Sequence, residues 1–133
     1  MRDYQPNTNR NPYFLQPTLY KIILWIIRDY DRQKEEYHEC INGIGGIQHT
    51  NTPIGGSGEI NKPTENKALK IATLSTNLKA IEQALILVPD EYRDAVLSNI
   101  KYYTPYPDIA DRRTFSTYKR RFIYHVAKNL NFV

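Results

Sequence analysis

Apolar residues repeat along two long stretches of the chain with the spacing of helices packed lengthwise. From Pro17-Thr18 to about Ile44, one stripe advances by alternating steps of four and three residues. This spacing keeps the side chains on one helix face, as in a seam against another helix. The stripe contains Ile23, Ile27, Tyr30, Tyr37, Ile41 and Ile44, and Lys34 interrupts the series between the two tyrosines. A second helix is predicted from Pro63 to about Leu87, with its stripe at Ile71, Leu74, Leu78, Ile81, Leu85 and Val88.

The segments around these two helices predict a hairpin with a long connection. Residues 45–62 hold five of the six glycines and show no apolar periodicity, which predicts a glycine-rich loop. Two seams of similar length joined by such a loop favour an antiparallel helical hairpin over residues 18–88. Residues 1–17 contain Pro6, Pro12 and Pro17, and we expect them to form an extended, weakly ordered arm.

The remaining residues, 89–133, predict two shorter helices. Asp90 is a suitable N-cap for a helix over about 91–102, whose stripe contains Val96 and Ile100. Two prolines in residues 104–108 then interrupt the helix. A last helix is predicted over about 114–130, capped by Asp111 or Thr114, with Phe115, Tyr118, Phe122, Val126 and Leu130 on one face. The expected fold is all-α: a long hairpin followed by a short C-terminal helix-turn-helix-like region.

Positive charge is concentrated at the C-terminal end. The chain has a net charge of +4, yet residues 101–133 carry seven Lys/Arg and two Asp/Glu, a net +5. The first hundred residues are therefore close to neutral, at −1. This asymmetry indicates an anionic polymer or surface as the partner of the C-terminal region.

The pattern of reactive residues predicts neither an enzyme nor a cofactor. His38, His49 and His125 lie in three different segments and share no metal-ligand spacing with one another or with Cys40. The glycine-rich stretch lacks the Lys-Ser/Thr of a phosphate-binding P-loop and follows no strand. Cys40 has no second cysteine with which to pair, which fits a reducing compartment, and we expect it to be a small buried side chain.

Neither a membrane span nor a signal peptide is expected. The longest apolar run, residues 22–27, is six residues long, far below the ~20 that a membrane-spanning helix needs. The N-terminal stretch is polar and lacks the apolar core of a signal peptide. A cytoplasmic location, in a bacterial host cell, is therefore expected.

The start of the last helix combines basic and hydroxyl residues opposite its aromatic face. Such residues contact DNA phosphates and can read base edges in the major groove. The candidate DNA-binding residues are Arg112, Arg113, Thr114, Ser116, Thr117, Lys119, Arg120, Arg121 and Lys128. Ser116, Thr117 and Arg120 are expected to face the groove, while the other arginines contact phosphates. The alternative is an amphipathic helix whose charged face is only solvated.

Several segments resemble the phage RinA/ArpU group of late-gene transcriptional activators. The similarity covers roughly residues 30–133. It is carried by Ile54-Gly55-Gly56, by residues 63–68 (PTENKA), by Ala80-Ile81-Glu82 and by the block from Arg113-Thr114 to Tyr118-Lys119-Arg120. The resemblance implies a small helical protein with a sigma-factor-like helix-turn-helix at its C-terminus. It also implies a regulator that activates late phage genes and binds double-stranded DNA.

This chain departs from the group between its last two helices. Only about ten residues, 104–113, separate them, and two of these are proline. The first helix of a helix-turn-helix is therefore expected to be shortened or replaced.

Two further functions and a self-association remain open on the sequence. The protein could instead be a DNA-packaging protein similar to a terminase small subunit, or a protein–protein adaptor whose helix-turn-helix has decayed. Leu19, Ile22, Trp25 and Ile26 lie beside the first seam. Partly uncovered apolar residues of this kind predict a homodimer or larger oligomer. Contact with RNA polymerase is a further open possibility.

Overall fold

The structure is a computed structural model that describes the backbone of residues 11–50 and 58–133 and the side chains of residues 11–42 and 65–133. Every regular element in these residues is a helix, which confirms the all-α prediction. The helices are α1 (Pro17–Arg28), α2 (Tyr30–Thr50), α3 (Gly58–Ile86), α4 (Asp90–Tyr102) and α5 (Arg112–Asn129). The chain divides into two compact units, Met1–Asp29 with Lys79–Val133, and Tyr30–Leu78.

The first unit has its core where α1, α4 and α5 contact one another. Each helix contributes apolar residues spaced three or four apart, so each buries a single stripe. The fully buried side chains include Ile23, Leu24, Ile27, Ile81, Val96, Ile100, Phe115, Phe122 and Val126. This burial confirms the apolar stripes predicted for α4 and the central part of α5.

The long first helix of the sequence analysis is interrupted at Asp29. Asp29 ends α1 with φ −88° and ψ 6°, and its N–H still donates to the carbonyl of Trp25. Residues before Asp29 pack on α4 and α5, whereas residues after it contact α3. Helix α1 therefore belongs to the unit of the C-terminal helices.

The segment that precedes α1 is packed rather than loosely ordered over residues 11–16. Leu15 is 2% exposed and Asn11 is 5% exposed. Asn11 folds the chain locally, because its side-chain oxygen accepts from the N–H of Tyr13 at 3.0 Å and its carbonyl accepts from Phe14. This correction concerns residues 11–16 only; the rest of the predicted arm lies outside the described residues.

Side chains and a left-handed residue fix the two ends of α4. The N-cap of α4 is Pro89, one position before the predicted Asp90, which is instead the first residue of the helix. Arg93 donates to the carbonyls of Ile86 and Val88 and so satisfies groups that the end of α3 leaves unpaired. At the other end Tyr103 adopts φ 58°, with its N–H bonded to the carbonyl of Asn99.

The second unit contains α2 and the part of α3 up to Leu78. Asn77 Nδ2 donates to Gln33 Oε1 at 2.9 Å, and Lys70 forms an ion pair with Glu36. Among residues 30–42 of α2, the buried side chains are Gln33 and Cys40, the latter as expected. Ile41, which the apolar stripe placed in the seam, is 42% exposed. The buried face of α2 is therefore rotated by about one residue from the predicted one.

The predicted glycine-rich loop is shorter than residues 45–62. Helix α2 continues to Thr50 and α3 begins at Gly58, so residues 45–50 and 58–62 are helical. Glycine lowers helix stability by only about 1 kcal/mol relative to alanine, a preference that neighbouring residues can override. Residues 51–57 lie outside the described part of the chain.

Candidate nucleic-acid interface

Helix α5 presents its charged side because its opposite side is anchored in the core. Phe115, Phe122 and Val126 are almost fully buried. The helix begins after Asp111, one of the two predicted caps, whose carboxylate accepts from the backbone N–H of Arg113. This cap satisfies one of the free N–H groups of the first turn. The anchored face thus determines which residues of α5 face outward.

Five of the nine predicted DNA-binding residues line one open depression at the start of α5. The depression has a volume of about 500 Å³ and is bordered by Asp111, Arg112, Arg113, Ser116, Thr117 and Arg120. Thr117 Oγ1 donates to the carbonyl of Arg113 at 2.9 Å and accepts from Arg120 Nη2 at 3.4 Å. These bonds hold the guanidinium of Arg120 along the helix surface. The depression combines three guanidinium groups with two hydroxyls, a set suited to an anionic ligand.

Tyr106 belongs to this surface, although the sequence analysis did not single it out. Its ring stacks on Phe115 with centroids 4.7 Å apart and planes 8° apart. Burial raises the pKa of Tyr106, while its hydrogen bond with Ser116 and the charges of Arg112 and Arg120 oppose that shift. The only sequence signal for this residue is its position between Pro105 and Pro107, which fixes the local backbone.

Lys119 is directed away from the depression and toward α4. Its Nζ donates to Asn99 Oδ1 at 2.9 Å, and Asn99 Nδ2 donates to the carbonyl of Thr104 at 2.9 Å. Asn99 therefore links α4, the segment that leaves it, and α5. Lys119 therefore links α5 to α4.

Arg121 and Lys128 lie on a different part of the α5 surface from the depression. The guanidinium carbon of Arg121 lies 5.9 Å from the ring centre of Tyr13 and 5.8 Å from that of Tyr118. Lys128 is exposed, and Thr114 is half-buried in the first turn. The predicted residues thus fall into a cluster at the start of α5, a cluster farther along it, and a structural lysine.

Within residues 11–42 and 65–133, no three His, Cys, Asp or Glu side chains converge as metal ligands would. In the described part of the chain, no helix has the length and apolar character needed to cross a bilayer.

Comparison with known proteins gives one informative match. The chain is 35% identical over 83 residues to a protein of Streptococcus phage O1205 described as "Putative autolysin regulatory protein ArpU". The aligned region is 62% of this chain and 59% of that relative. No family model matches the chain, and no solved structure matches it. The similarity supports the relationship to ArpU-like phage regulatory proteins that the sequence motifs indicated.

Proposed function

We propose that this protein is a DNA-binding transcriptional regulator of phage genes, in which α5 is the helix that meets the duplex. The observation that carries the proposal is the depression formed by Arg112, Arg113, Ser116, Thr117 and Arg120 at the first turns of an anchored helix. Helix N-termini favour phosphate, and arginine and hydroxyl side chains contact both phosphates and base edges.

The charge distribution supports the same function. Residues 101–133 carry a net charge of +5, while the rest of the chain is near neutral. Sequence-independent attraction to DNA depends on such localised positive charge, because each contacted phosphate releases condensed counterions. The proposed surface therefore coincides with the most positive part of the molecule.

The arrangement of α4 and α5 supports a helix-turn-helix-like role. The two helices contact each other and are joined by residues 103–111, which include both prolines and the half-buried Tyr106. We propose that α4 supports α5 as the first helix of a helix-turn-helix supports its recognition helix. The longer connection replaces the usual short turn.

We propose that α2 and α3 form the antiparallel hairpin of the scaffold. Moving from Gln33 to Glu36 along α2, the partner on α3 changes from Asn77 to Lys70. Partners that run in opposite order along the two helices are the signature of antiparallel packing.

The regulatory part of the proposal rests on the relative from Streptococcus phage O1205, whose description is that of an autolysin regulator. By the resemblance to the RinA/ArpU group, we propose that the regulated genes are late phage genes. We also propose that the protein acts as a homo-oligomer without enzymatic activity, in the cytoplasm of the host cell.

The test is the salt dependence of binding to duplex DNA. We expect affinity for a mixed-sequence duplex to fall with ionic strength, with a log–log slope near −0.9 per phosphate and about three to five phosphates per subunit. The double substitution R112Q/R113Q should flatten this slope by about two units. K79Q, which removes an exposed charge on α3, is the matched control and should leave the slope unchanged.

Sequencing the phage DNA enriched by the protein then distinguishes regulation from its alternatives. Enrichment of a defined promoter region supports the proposal. Enrichment of a packaging site would favour the terminase-like function, and absence of any salt-sensitive DNA binding would favour the adaptor function.

A further inference from the structure

A second group of cationic or titratable side chains lies along the C-terminal half of α5. Arg121, His125 and Lys128 are spaced four and three residues apart, which places them on one face of the helix. None of the three borders the depression at the start of α5. At 1.5 Å per residue, His125 lies about 13 Å along the helix from Ser116. This separation is similar to the ~12 Å width of the DNA major groove.

Tyr13 packs against this second group from the N-terminal segment. Its ring centre lies 5.9 Å from the guanidinium carbon of Arg121 and 6.3 Å from the ring centre of His125. Its ring also makes an edge contact with Tyr124. Tyr13 is itself held by the hydrogen bond to the buried Asn11 and by the adjacent buried Leu15. The segment therefore holds two of the three side chains in place.

Among the described residues, no carboxylate neutralises the charges in this group. Within the described residues, the structure pairs none of Arg121, His125 and Lys128 with an acidic side chain. The Nε of Arg121 is buried without a hydrogen-bond partner. The groups that face His125 are Arg121 and Lys128 on α5, the neighbouring ring of Tyr124, and Tyr13 from the N-terminal segment. An anion placed here would meet two fixed positive charges and one titratable group.

We propose that Arg121, His125 and Lys128 form a second phosphate-binding site for the DNA backbone, which takes up a proton on His125 when it is occupied and in which Tyr13 is a positioning residue. This inference rests on the proposed function, since it assigns a partner group and a regulation to the same helix. The start of α5 would then occupy the groove while its second half contacts the flanking backbone.

The direction of the pH effect follows from the surroundings of His125. Burial, followed by the charges of Lys128 and Arg121, lowers the pKa of His125 below its ordinary value of 6.5. A bound phosphate stabilises the protonated ring and raises that pKa, so binding is coupled to proton uptake. Affinity for DNA therefore increases as the pH falls below neutrality, by up to about tenfold per pH unit for one proton.

The first experiment is an NMR titration of the histidine ring protons in sulfate and in chloride at equal ionic strength. Sulfate serves as the probe because, unlike phosphate, its charge stays constant between about pH 5.5 and about pH 8. We expect sulfate to raise the pKa of His125, whose resonance is identified by its absence from the spectrum of H125Q. The rise should disappear in R121Q and in K128Q. Equal pKa values for His125 in the two salts would overturn the proposal.

The second experiment measures binding to a mixed-sequence duplex over the same pH range. The affinity of the wild-type protein should increase at low pH, that of H125Q should stay flat, and H38Q should behave as wild type. Y13A should weaken binding and reduce its pH dependence, and Y13F, which keeps the ring, should restore both.

The outcomes separate this inference from the proposed function. Salt-sensitive binding that is independent of pH in the wild-type protein refutes the second site and leaves the function intact. Absence of duplex binding at every pH refutes the function itself.

Discussion

Asp111 has two opposing effects at the start of α5. Its carboxylate caps the helix through the N–H of Arg113, yet it also places a negative charge at the edge of the depression formed by Arg112, Arg113 and Arg120. The cap stabilises the helix, whereas the charge reduces the attraction of this surface for phosphate. A single side chain therefore links the stability of α5 to its affinity.

Substituting Asp111 separates these two effects. D111S keeps a hydroxyl that can cap and removes the charge, so we expect tighter DNA binding with little loss of stability. D111A also removes the cap and should lower the free energy of unfolding by about 1 kcal/mol. Urea denaturation and binding titrations on both variants measure the two effects. Weaker binding by D111S would contradict this account.

Single substitutions test whether some residues of α5 read base edges while others contact phosphates. R120A should weaken binding to the preferred site by about 1–3 kcal/mol and relax its sequence preference, because Arg120 lies beside Ser116 and Thr117 where base edges are expected. R112A should weaken binding to all sequences alike and reduce the salt slope by about one. Competition titrations with specific and random duplexes measure both. If the two variants lose affinity equally for every sequence, α5 contacts only the backbone.

At the scale of elements, the sequence pattern predicts where helices form better than it predicts which helices pack together. The bounds of α4 and α5 and the buried stripe containing Phe115 and Phe122 follow from periodicity and from the Asp111 cap. Periodicity shows which face of a helix is apolar, but not which neighbour covers it. For this reason the packing of α1 on α4 and α5 was missed.

The pattern of apolar residues also does not identify the polar side chains that have structural roles. Asn77 donates to the amide oxygen of the buried Gln33, and Asn99 hydrogen-bonds both to the carbonyl of Thr104 and to Lys119. Gln33 and Asn99 each have a partner on another helix, Asn77 and Lys119 respectively. In the candidate site, the sequence predicted the arginine and hydroxyl residues. Tyr13 and Tyr106 are identified by their contacts in the structure, with Arg121 and Phe115 respectively.

Because Gln33 and Asn77 are hydrogen-bonded, the cost in stability of substituting one of them should depend on whether the other is also substituted. Q33L leaves the Asn77 amide without its partner and should lower the free energy of unfolding by about 1–3 kcal/mol. Q33L/N77L removes both polar groups and should recover most of that loss. A double-mutant cycle by urea denaturation measures the coupling, and additive losses would show that the two side chains do not stabilise each other.

At the scale of the whole molecule, the first unit exposes apolar side chains on α1. Trp25 is 66% exposed and Ile22 is 45% exposed, three residues apart on the same helix. The guanidinium carbon of Arg28 lies 5.2 Å from the ring centre of Trp25 and 4.9 Å from that of Tyr103. The Nε of Arg28 donates to the carbonyl of Ile100. Trp, Tyr and Arg are the side chains most often found at the centres of protein interfaces.

We therefore expect a second copy of this chain to cover Trp25. The wild-type protein should sediment as a dimer or larger species at about tens of micromolar, and W25S should shift it toward the monomer. L69S is the matched control, since Leu69 is also 66% exposed but belongs to the other unit. A wild-type monomer at that concentration would refute the interface.

The backbone of Tyr103 has a consequence for engineering this protein. A left-handed conformation costs a residue with a β-carbon about 1–2 kcal/mol, and glycine is the usual occupant of such a position after a helix. Tyr103 nevertheless holds φ 58° and places its ring against Arg28. A redesign for heat resistance would choose glycine here and gain backbone relaxation, offset in part by the greater freedom of glycine in the unfolded chain. The same change would remove the Tyr103 ring that lies against Arg28. The thermostable variant would therefore bind a second copy of the chain less tightly through the surface around Trp25.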